Sequence, residues 1–309
     1  PFPPYGIYAQ LPWRRQIVEG LLGADVIGFQ RVADAGNFTR AVRRLYGANS
    51  TKGSEVKVPV AQGEAPRTAI AKAFPISIDA AMFEELARQP AVQERAAEIR
   101  RELGNPETIY LGVDRLDYTK GIRHRLKAFG ELLRDGRTTA GDSVLVQVAS
   151  PSRERVEAYM QLRDEIELTV GRINGDYATI GHSAIAYLHH GYPREEMVAL
   201  YLAADVMLVT ALRDGMNLVA KEYVACRHDN DGVLILSEFA GAADELKNAL
   251  LVNPHDIEGL KDAMTAAAGM PQRERASRMR ALRKRVRDND VARWSRGFLD
   301  ELARAKDAR

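Results

Sequence analysis

From Thr108 onward the chain alternates short apolar runs with longer amphipathic stretches. The runs IYLGVD, SVLVQVA, AIAYLHH, VMLVTA, LILSEF and ALLVNP have strand length and are rich in β-branched residues. Continuous rather than alternating apolar character predicts strands buried on both faces of a parallel sheet. Between them GIRHRLKAFGELLRD, RERVEAYMQLRDEIELTV, REEMVALYLAA, MNLVAKEYVAC and IEGLKDAMTAA carry apolar residues at helical spacing, and GAADEL reads as a short helix. This alternation predicts an α/β fold, a doubly wound parallel sheet with helices on both faces. Two more helices are expected over 271–289 and 291–306. Trp294 and Phe298, at i and i+4, give the last one an apolar anchor directed at the first domain.

Ahead of Thr108 the pattern predicts a helix over 15–22, a buried strand ADVIGF over 24–29, and a helix Ala33–Tyr46 with Phe38, Val42 and Leu45 on one face. Strands follow over 55–60 (EVKVPV) and 68–76 (TAIAKAFPI), with Pro75 marking where the second leaves its sheet. Helices over 80–88 and 91–103 then lead to Gly104 as a C-cap. The expected domains are 1–80, the end of one α/β domain, and 81–290, a complete second one. The helix over 291–309 packs back on the first. The chain opens PFPPYGIYAQLPWRR, without an initiator Met and in a proline-rich loop, so it is expected to be a fragment of a longer product.

The stretch Asp205–Cys226, DVMLVTALRDGMNLVAKEYVAC, sets a buried strand and a helix around the short turn ALRDG. The helix is expected to start at the carboxyl end of the strand. There its first N–H groups lack intrahelical partners and carry the positive end of the dipole, the usual ligand position in open α/β sheets. Gly215, Met216 and Asn217 offer backbone donors to a diphosphate or sugar. Glu222 lies eight positions beyond Asp214, on the order of 12 Å along a helix, and its carboxylate can accept from both hydroxyls of a ribose. The plainer alternative makes Asp214 an N-cap and Glu222 a solvated surface charge.

Three cations stand where helix dipoles disfavour them, by about 0.3–1 kcal/mol each. Lys120 starts the helix after IYLGVDRLDYT, Arg115 sits five residues earlier, and Arg153 opens the helix after SVLVQVASPS with Ser150 and Ser152 as capping candidates. A phosphate lying between such cations and a positive helix end would explain the placement. Alternatively each is paired locally, Arg115 with Asp114 or Asp117 and Arg153 with Glu154 or Glu157.

Composition narrows the choices. The 309 residues suffice for two ordinary domains, and 46% hydrophobic with 28% charged describes a globular protein. Forty-four basic against 42 acidic residues leave +2, so no basic excess calls for nucleic acid, and the run RKRVR over 283–287 reads as a solvated helix face. One cysteine, Cys226, rules out an internal disulfide and fits a reducing cytoplasm. No apolar run is long enough for a membrane span. His189 and His190 fall on opposite faces of a strand and make a poor metal pair, and His182 and His255 have no ligand-spaced partner. There is no GxGxxG, P-loop, HExxH or GxSxG motif.

The segments VDRLDYTKG over 113–121, ASPSRERVEAY over 149–159, GRINGDY over 171–177, LRDGMNLVAKEYVAC over 212–226 and LSEFAGAADEL over 236–246 closely resemble the trehalose-6-phosphate synthases of glycosyltransferase family 20. PFPP, LPWR and LLGADVIGFQ near the amino end look like that family too, so the resemblance covers essentially the whole chain. It implies a GT-B fold of two Rossmann-like domains, the amino-terminal one truncated here. It also implies a retaining glucosyltransferase that moves glucose from UDP-glucose to glucose 6-phosphate, giving α,α-trehalose 6-phosphate and UDP.

By similarity Arg115 and Lys120 hold the donor diphosphate, and Asp214, Gly215, Met216, Asn217, Leu218 and Val219, with Ala220 and Lys221 just beyond, form the donor-binding helix start. Glu222 takes the ribose hydroxyls, Tyr192 contacts the base through its main chain, and Arg153 binds the acceptor phosphate. Arg115, Lys120 and Asp214 are the expected catalytic residues. The family needs no cofactor or metal, because protein cations take over the diphosphate charge. Members carry, ahead of the segment matching Pro1, acceptor-binding residues and a His and an Asp near the reacting sugar. The partners expected are therefore the two sugar substrates, with no nucleic acid and no membrane. A homo-oligomer fits too, although its size is not readable. Glucosylglycerol-phosphate synthases, cyclitol-coupling pseudo-glycosyltransferases and a non-catalytic nucleotide-sugar binder remain as alternatives, and the base could be that of UDP, ADP or GDP.

Overall fold

The computed structural model describes residues 1–58 and 67–307 and divides the chain into two units, Pro1–Ser77 with Asn289–Arg309, and Ile78–Asp288. In the first unit α1 (Tyr5–Tyr8) and α2 (Arg14–Leu21) precede β1 (Val26–Phe29), α3 (Val32–Tyr46), β2 (Thr51–Lys52), β3 (Glu55–Val58) and β4 (Arg67–Ala73). The opening is thus not all loop, since one helical turn follows Pro4, whose φ of −55° leads into it. The sheet runs β1-β4-β3-β2, with β1 parallel to β4 and the other pairs antiparallel. The expected strand over 55–60 is present as far as Val58; positions 59 and 60 lie outside the described residues. Phe38 and Val42 bury the predicted face of α3 against Val18, Ile27, Val56 and Ala69, while Leu45 is half-buried.

The second unit contains α4 (Ala80–Ala87), α5 (Pro90–Glu102), β5 (Thr108–Arg115), α6 (Ile122–Arg134), β6 (Ser143–Ser150), α7 (Glu157–Tyr177), β7 (Ile185–Leu188), α8 (Arg194–Ala203), β8 (Val206–Val209), α9 (Leu218–Cys226), β9 (Val233–Ser237), β10 (Leu250–Val252), α10 (Ile257–Ala268) and α11 (Gln272–Asp288). Its six strands are all parallel, in the order β10-β9-β8-β5-β6-β7. Every residue of β8 and β9 is buried, which is what their uninterrupted apolar runs require. Leu126, Phe129, Leu145, Ile166, Ile235, Leu260 and Met264 belong to one core on one side of this sheet. Succession from β5 to β7 moves one way across the sheet, and β8 returns to the other flank of β5. Winding therefore reverses between β5 and β8, where open α/β sheets bind ligands beyond the strands' carboxyl ends.

Several local expectations are corrected. The helix after β6 begins at Glu157 rather than Arg153, and it continues through GRINGDY to Tyr177. Neither Ser150 nor Ser152 caps it; Val156 occupies the N-cap without a side-chain bond. GAADEL forms only a 3-10 turn, Gly241–Asp244. The central helix starts at Leu218, so an eight-residue connection, not a five-residue turn, separates it from β8.

The last helix, α12 (Val291–Asp307), belongs to the first unit. Trp294 donates from Nε1 to the Phe74 carbonyl (3.1 Å), Phe298 meets the Phe74 ring edge-on at 4.9 Å, and Lys72 pairs with Glu301 at 2.7 Å.

The run over 283–287 is not simply a solvated face. α11 packs against α4 and α9, so Arg283 is buried, and its guanidinium lies 3.0 Å from Glu84. Arg88 and Arg287 also reach Glu84, at 2.8 and 2.6 Å. Burial alone would raise the Glu84 pKa, but hydrogen bonds from Arg88 and Arg287 and the Arg283 charge outweigh it and hold it at about 2. Since that lies below the ordinary glutamate value of about 4.3, the cluster's contribution is complete above that pH and is lost as pH falls toward 2. Urea unfolding across this window should therefore show an acid limb that Glu84→Gln flattens by about 2 kcal/mol; an unchanged limb would show that the cluster is not what titrates.

Candidate functional site

The carboxyl ends of β5 and β8 each lead into an irregular loop, and the two loops are joined by one ion pair. Lys120 ends a 3-10 turn, Tyr118–Lys120, and its Nζ lies 2.6 Å from Asp214 Oδ2. Between Lys120 and α6 the chain passes through Gly121 in the left-handed region (φ 69°). A β-carbon there would collide with the Thr210 carbonyl, so glycine is required both by conformation and by the approach of the two loops. The Thr119 carbonyl accepts from Leu212 N (2.7 Å), which ties the loops through the main chain as well.

Asp214 is fully engaged. Its Oδ2 accepts from Asn217 Nδ2 (3.2 Å) besides Lys120, and its Oδ1 accepts from Met216 N (3.3 Å). It is therefore not the N-cap of the plainer reading. That place belongs to Asn217, whose Oδ1 takes the Ala220 N–H (3.2 Å) while its backbone sits at φ 78°. Asp214 instead holds the Lys120 ammonium before the amino end of α9, where the Leu218 and Val219 amides precede the first intrahelical bond. From the other side the Gly241 N–H donates to the Asp214 carbonyl (3.1 Å) and Ala242 N to the Met216 carbonyl (2.8 Å). Gly241 approaches Gly215 so closely that a β-carbon would overlap its carbonyl.

The other predicted residues take up distinct positions. Arg115 is exposed at the end of β5; its side chain makes no ion pair or hydrogen bond among the described residues, so neither local carboxylate neutralises it. Asp114 is instead buried against Arg125 (2.8 Å), which also meets Gln147 (2.6 Å) and Thr210 (3.2 Å). Gly112 leaves the space this guanidinium fills. Burial raises the Asp114 pKa, and Arg125 opposes the rise. Arg153 adopts φ 50° in the loop before α7 and pairs with neither Glu154 nor Glu157; it donates to the Tyr159 hydroxyl at 2.6 Å. Lys221, rather than facing a ligand, is buried in an ion pair with Glu245 at 3.0 Å. Glu222 is half-buried and accepts from the Tyr201 hydroxyl (2.8 Å). Burial raises its pKa, with the Tyr201 hydrogen bond and the Arg194 charge acting against the rise. Tyr192, after β7, is half-buried with its ring 4.3 Å from His190, whereas His189 turns to the Ala149 carbonyl. Among the described residues no group of three or more His, Cys, Asp and Glu could hold a metal ion, and no helix is long and apolar enough to cross a membrane.

The family model described as glycosyltransferase family 20 matches residues 1–304. The chain belongs to glycosyltransferase family 20. Within the family, a trehalose-6-phosphate synthase of Mycobacterium sp. (strain JLS) is 57% identical over 311 residues, covering 100% of this chain and 64% of that protein. The corresponding synthase of Mycobacterium leprae (strain TN) is 56% identical over 308 residues, covering 99% and 62%. Among solved structures, one from E. coli bound with UDP-2-fluoro glucose superposes with a TM-score of 0.90 at 35% identity, covering 98% of this chain and 66% of that one. A UDP-forming α,α-trehalose-phosphate synthase from Burkholderia xenovorans in complex with glucose-6-phosphate gives 0.89 at 36%, with coverage of 98% and 66%. The chain thus spans a little under two thirds of the length of the curated relatives it matches.

Sequence reasoning missed Arg125, Gln147, Tyr159 and Tyr201. All but Tyr159 read as ordinary strand or helix positions, and Tyr159 stood inside a quoted motif without a role. The Asn217 backbone generates a prediction: Asn217→Ala should cost about 1 kcal/mol more than Asn217→Gly, since only glycine adopts φ 78° without strain. Equal losses in urea unfolding would contradict this conformation.

Proposed function

We propose that this chain carries the donor site of a retaining glucosyltransferase that makes α,α-trehalose 6-phosphate and UDP from UDP-glucose and glucose 6-phosphate. The observation that carries the reading is the Lys120–Asp214–Asn217 constellation before α9 at the point where the sheet reverses its winding. Support comes also from relatives named trehalose-6-phosphate synthase and from similar structures holding a UDP-sugar analogue or glucose 6-phosphate.

In this reading Lys120 and the unpaired Arg115 meet the diphosphate, and the amides at the start of α9 from Gly215 to Val219 receive phosphate and glucose. Asp214 keeps the ammonium in place between donors, and its neighbourhood contacts the transferred sugar. Glu222 has Oε1 left for the ribose diol, because Tyr201 donates to Oε2. The Tyr192 segment faces the base, and Arg153 meets the acceptor phosphate. The acceptor hydroxyl attacks C1 on the face from which UDP departs. The C1–O bond to the β-phosphate breaks, the new C1–O bond forms, and the acceptor proton passes to the departing phosphate oxygen. Charge grows on UDP in the transition state, where fixed cations stabilise it most.

Isothermal calorimetry with UDP-glucose, beside a UDP-release assay with and without glucose 6-phosphate, tests the reading; binding without acceptor-dependent release would favour a non-catalytic nucleotide-sugar binder. Lys120→Ala or Arg115→Ala should lower turnover about 10²-fold or more. Near-normal rates would remove these residues from the mechanism. Because protein cations are assigned the diphosphate charge, EDTA treatment should leave the rate unchanged, and a rate restored only by a divalent ion would overturn that assignment.

A further inference from the structure

The cations assigned to acceptor and donor are linked by hydrogen bonds that run through the side chains of Tyr159 and Asp117. Arg153 Nη1 donates to Tyr159 Oη (2.6 Å), and Tyr159 donates to Asp117 Oδ2 (2.9 Å). The other Asp117 oxygen accepts from Thr119 N (2.9 Å) and Thr119 Oγ1 (2.7 Å), and the Asp117 carbonyl accepts from Lys120 N (3.1 Å). Lys120 then closes on Asp214. Burial would raise the Asp117 pKa, but the Thr119 and Tyr159 hydrogen bonds and the Lys120 charge prevail and lower it, so the group stays an acceptor.

Tyr159 is buried, yet its hydroxyl is wholly committed to a guanidinium on one side and a carboxylate on the other. The Arg153 guanidinium also lies 5.4 Å from the centre of its ring. The Arg153 backbone needs such a hold, because φ 50° is a conformation that a non-glycine residue keeps only where its surroundings impose it.

We propose that Tyr159 is a positioning residue. Its hydroxyl presents Arg153 to the acceptor phosphate and, through Asp117, sets the turn that delivers Lys120 to the donor. This rests on the roles given above to Arg153 and Lys120. An acceptor phosphate that draws on Arg153 shifts the tyrosine hydroxyl toward Asp117, so occupancy of one half of the site reaches the other without a change of fold.

Tyr159→Phe removes only the hydroxyl and keeps the buried ring. It should raise KM for glucose 6-phosphate roughly ten- to hundredfold, the worth of one hydrogen bond to a charged partner, and should lower kcat as well. UDP-glucose affinity, measured by calorimetry without acceptor, should fall less. Asp117→Asn should lower kcat more than it raises the acceptor KM, and the double variant should be no worse than the poorer single one. An acceptor KM within twofold of the parent in Tyr159→Phe, or fully multiplicative losses in the double variant, would overturn the proposal. Arg153→Ala separates the two layers. If it leaves the acceptor KM unchanged, the acceptor assignment itself fails; if it raises KM while Tyr159→Phe does not, only the positioning role fails.

Discussion

The site depends on one ion pair made across the point where the sheet reverses. Lys120 and Asp214 come from loops at the ends of β5 and β8, and each side chain is about one-sixth exposed. A pair so placed is worth keeping only if the remaining donors and acceptors are met, since partial burial weakens hydration faster than a single contact restores it. Asn217 and the Met216 amide supply that completion for the carboxylate. For the ammonium, Asp214 is the one partner among the described residues, which leaves it able to turn toward an anion arriving at α9.

Beneath this pair lies a second, fully buried one. Arg125 and Asp114, with Gln147 and Thr210, fill the volume that Gly112 leaves empty and connect β5, α6, β6 and the end of β8. A charge in that position ties together the very elements whose loops form the site. Removing one member would strand the others without water, at a cost of about 3–5 kcal/mol. Cations held in the loops above need such a foundation.

Most of the second unit's architecture was legible because parallel strands buried on both faces must be continuously apolar, and β5, β6, β8 and β9 are. Lys120 and Arg153 stood out as cations against helix dipoles, though the dipole argument for Arg153 assumed a helix that begins four residues later. What could not be read was anything set by contact between distant loops. ALRDG looked like a tight turn because Asp and Gly favour turns, but the segment from Thr210 to Asn217 is drawn out by pairing with Phe239, Gly241 and Ala242. Asn217 rather than Asp214 caps α9 for the same reason. Lys221 looked available on a helix, but Glu245, 24 residues further along the chain though near in space, claims it.

The abutment of Gly241 on Gly215 makes the 212–217 and 239–242 loops a single mechanical piece. A site bounded by this seam cannot be re-shaped by exchanging the 239–242 loop alone, because a side chain in place of Gly241 meets the Gly215 carbonyl rather than open space. Drift toward another ligand would have to pass through paired changes, or act only through side chains that line the site from outside this seam.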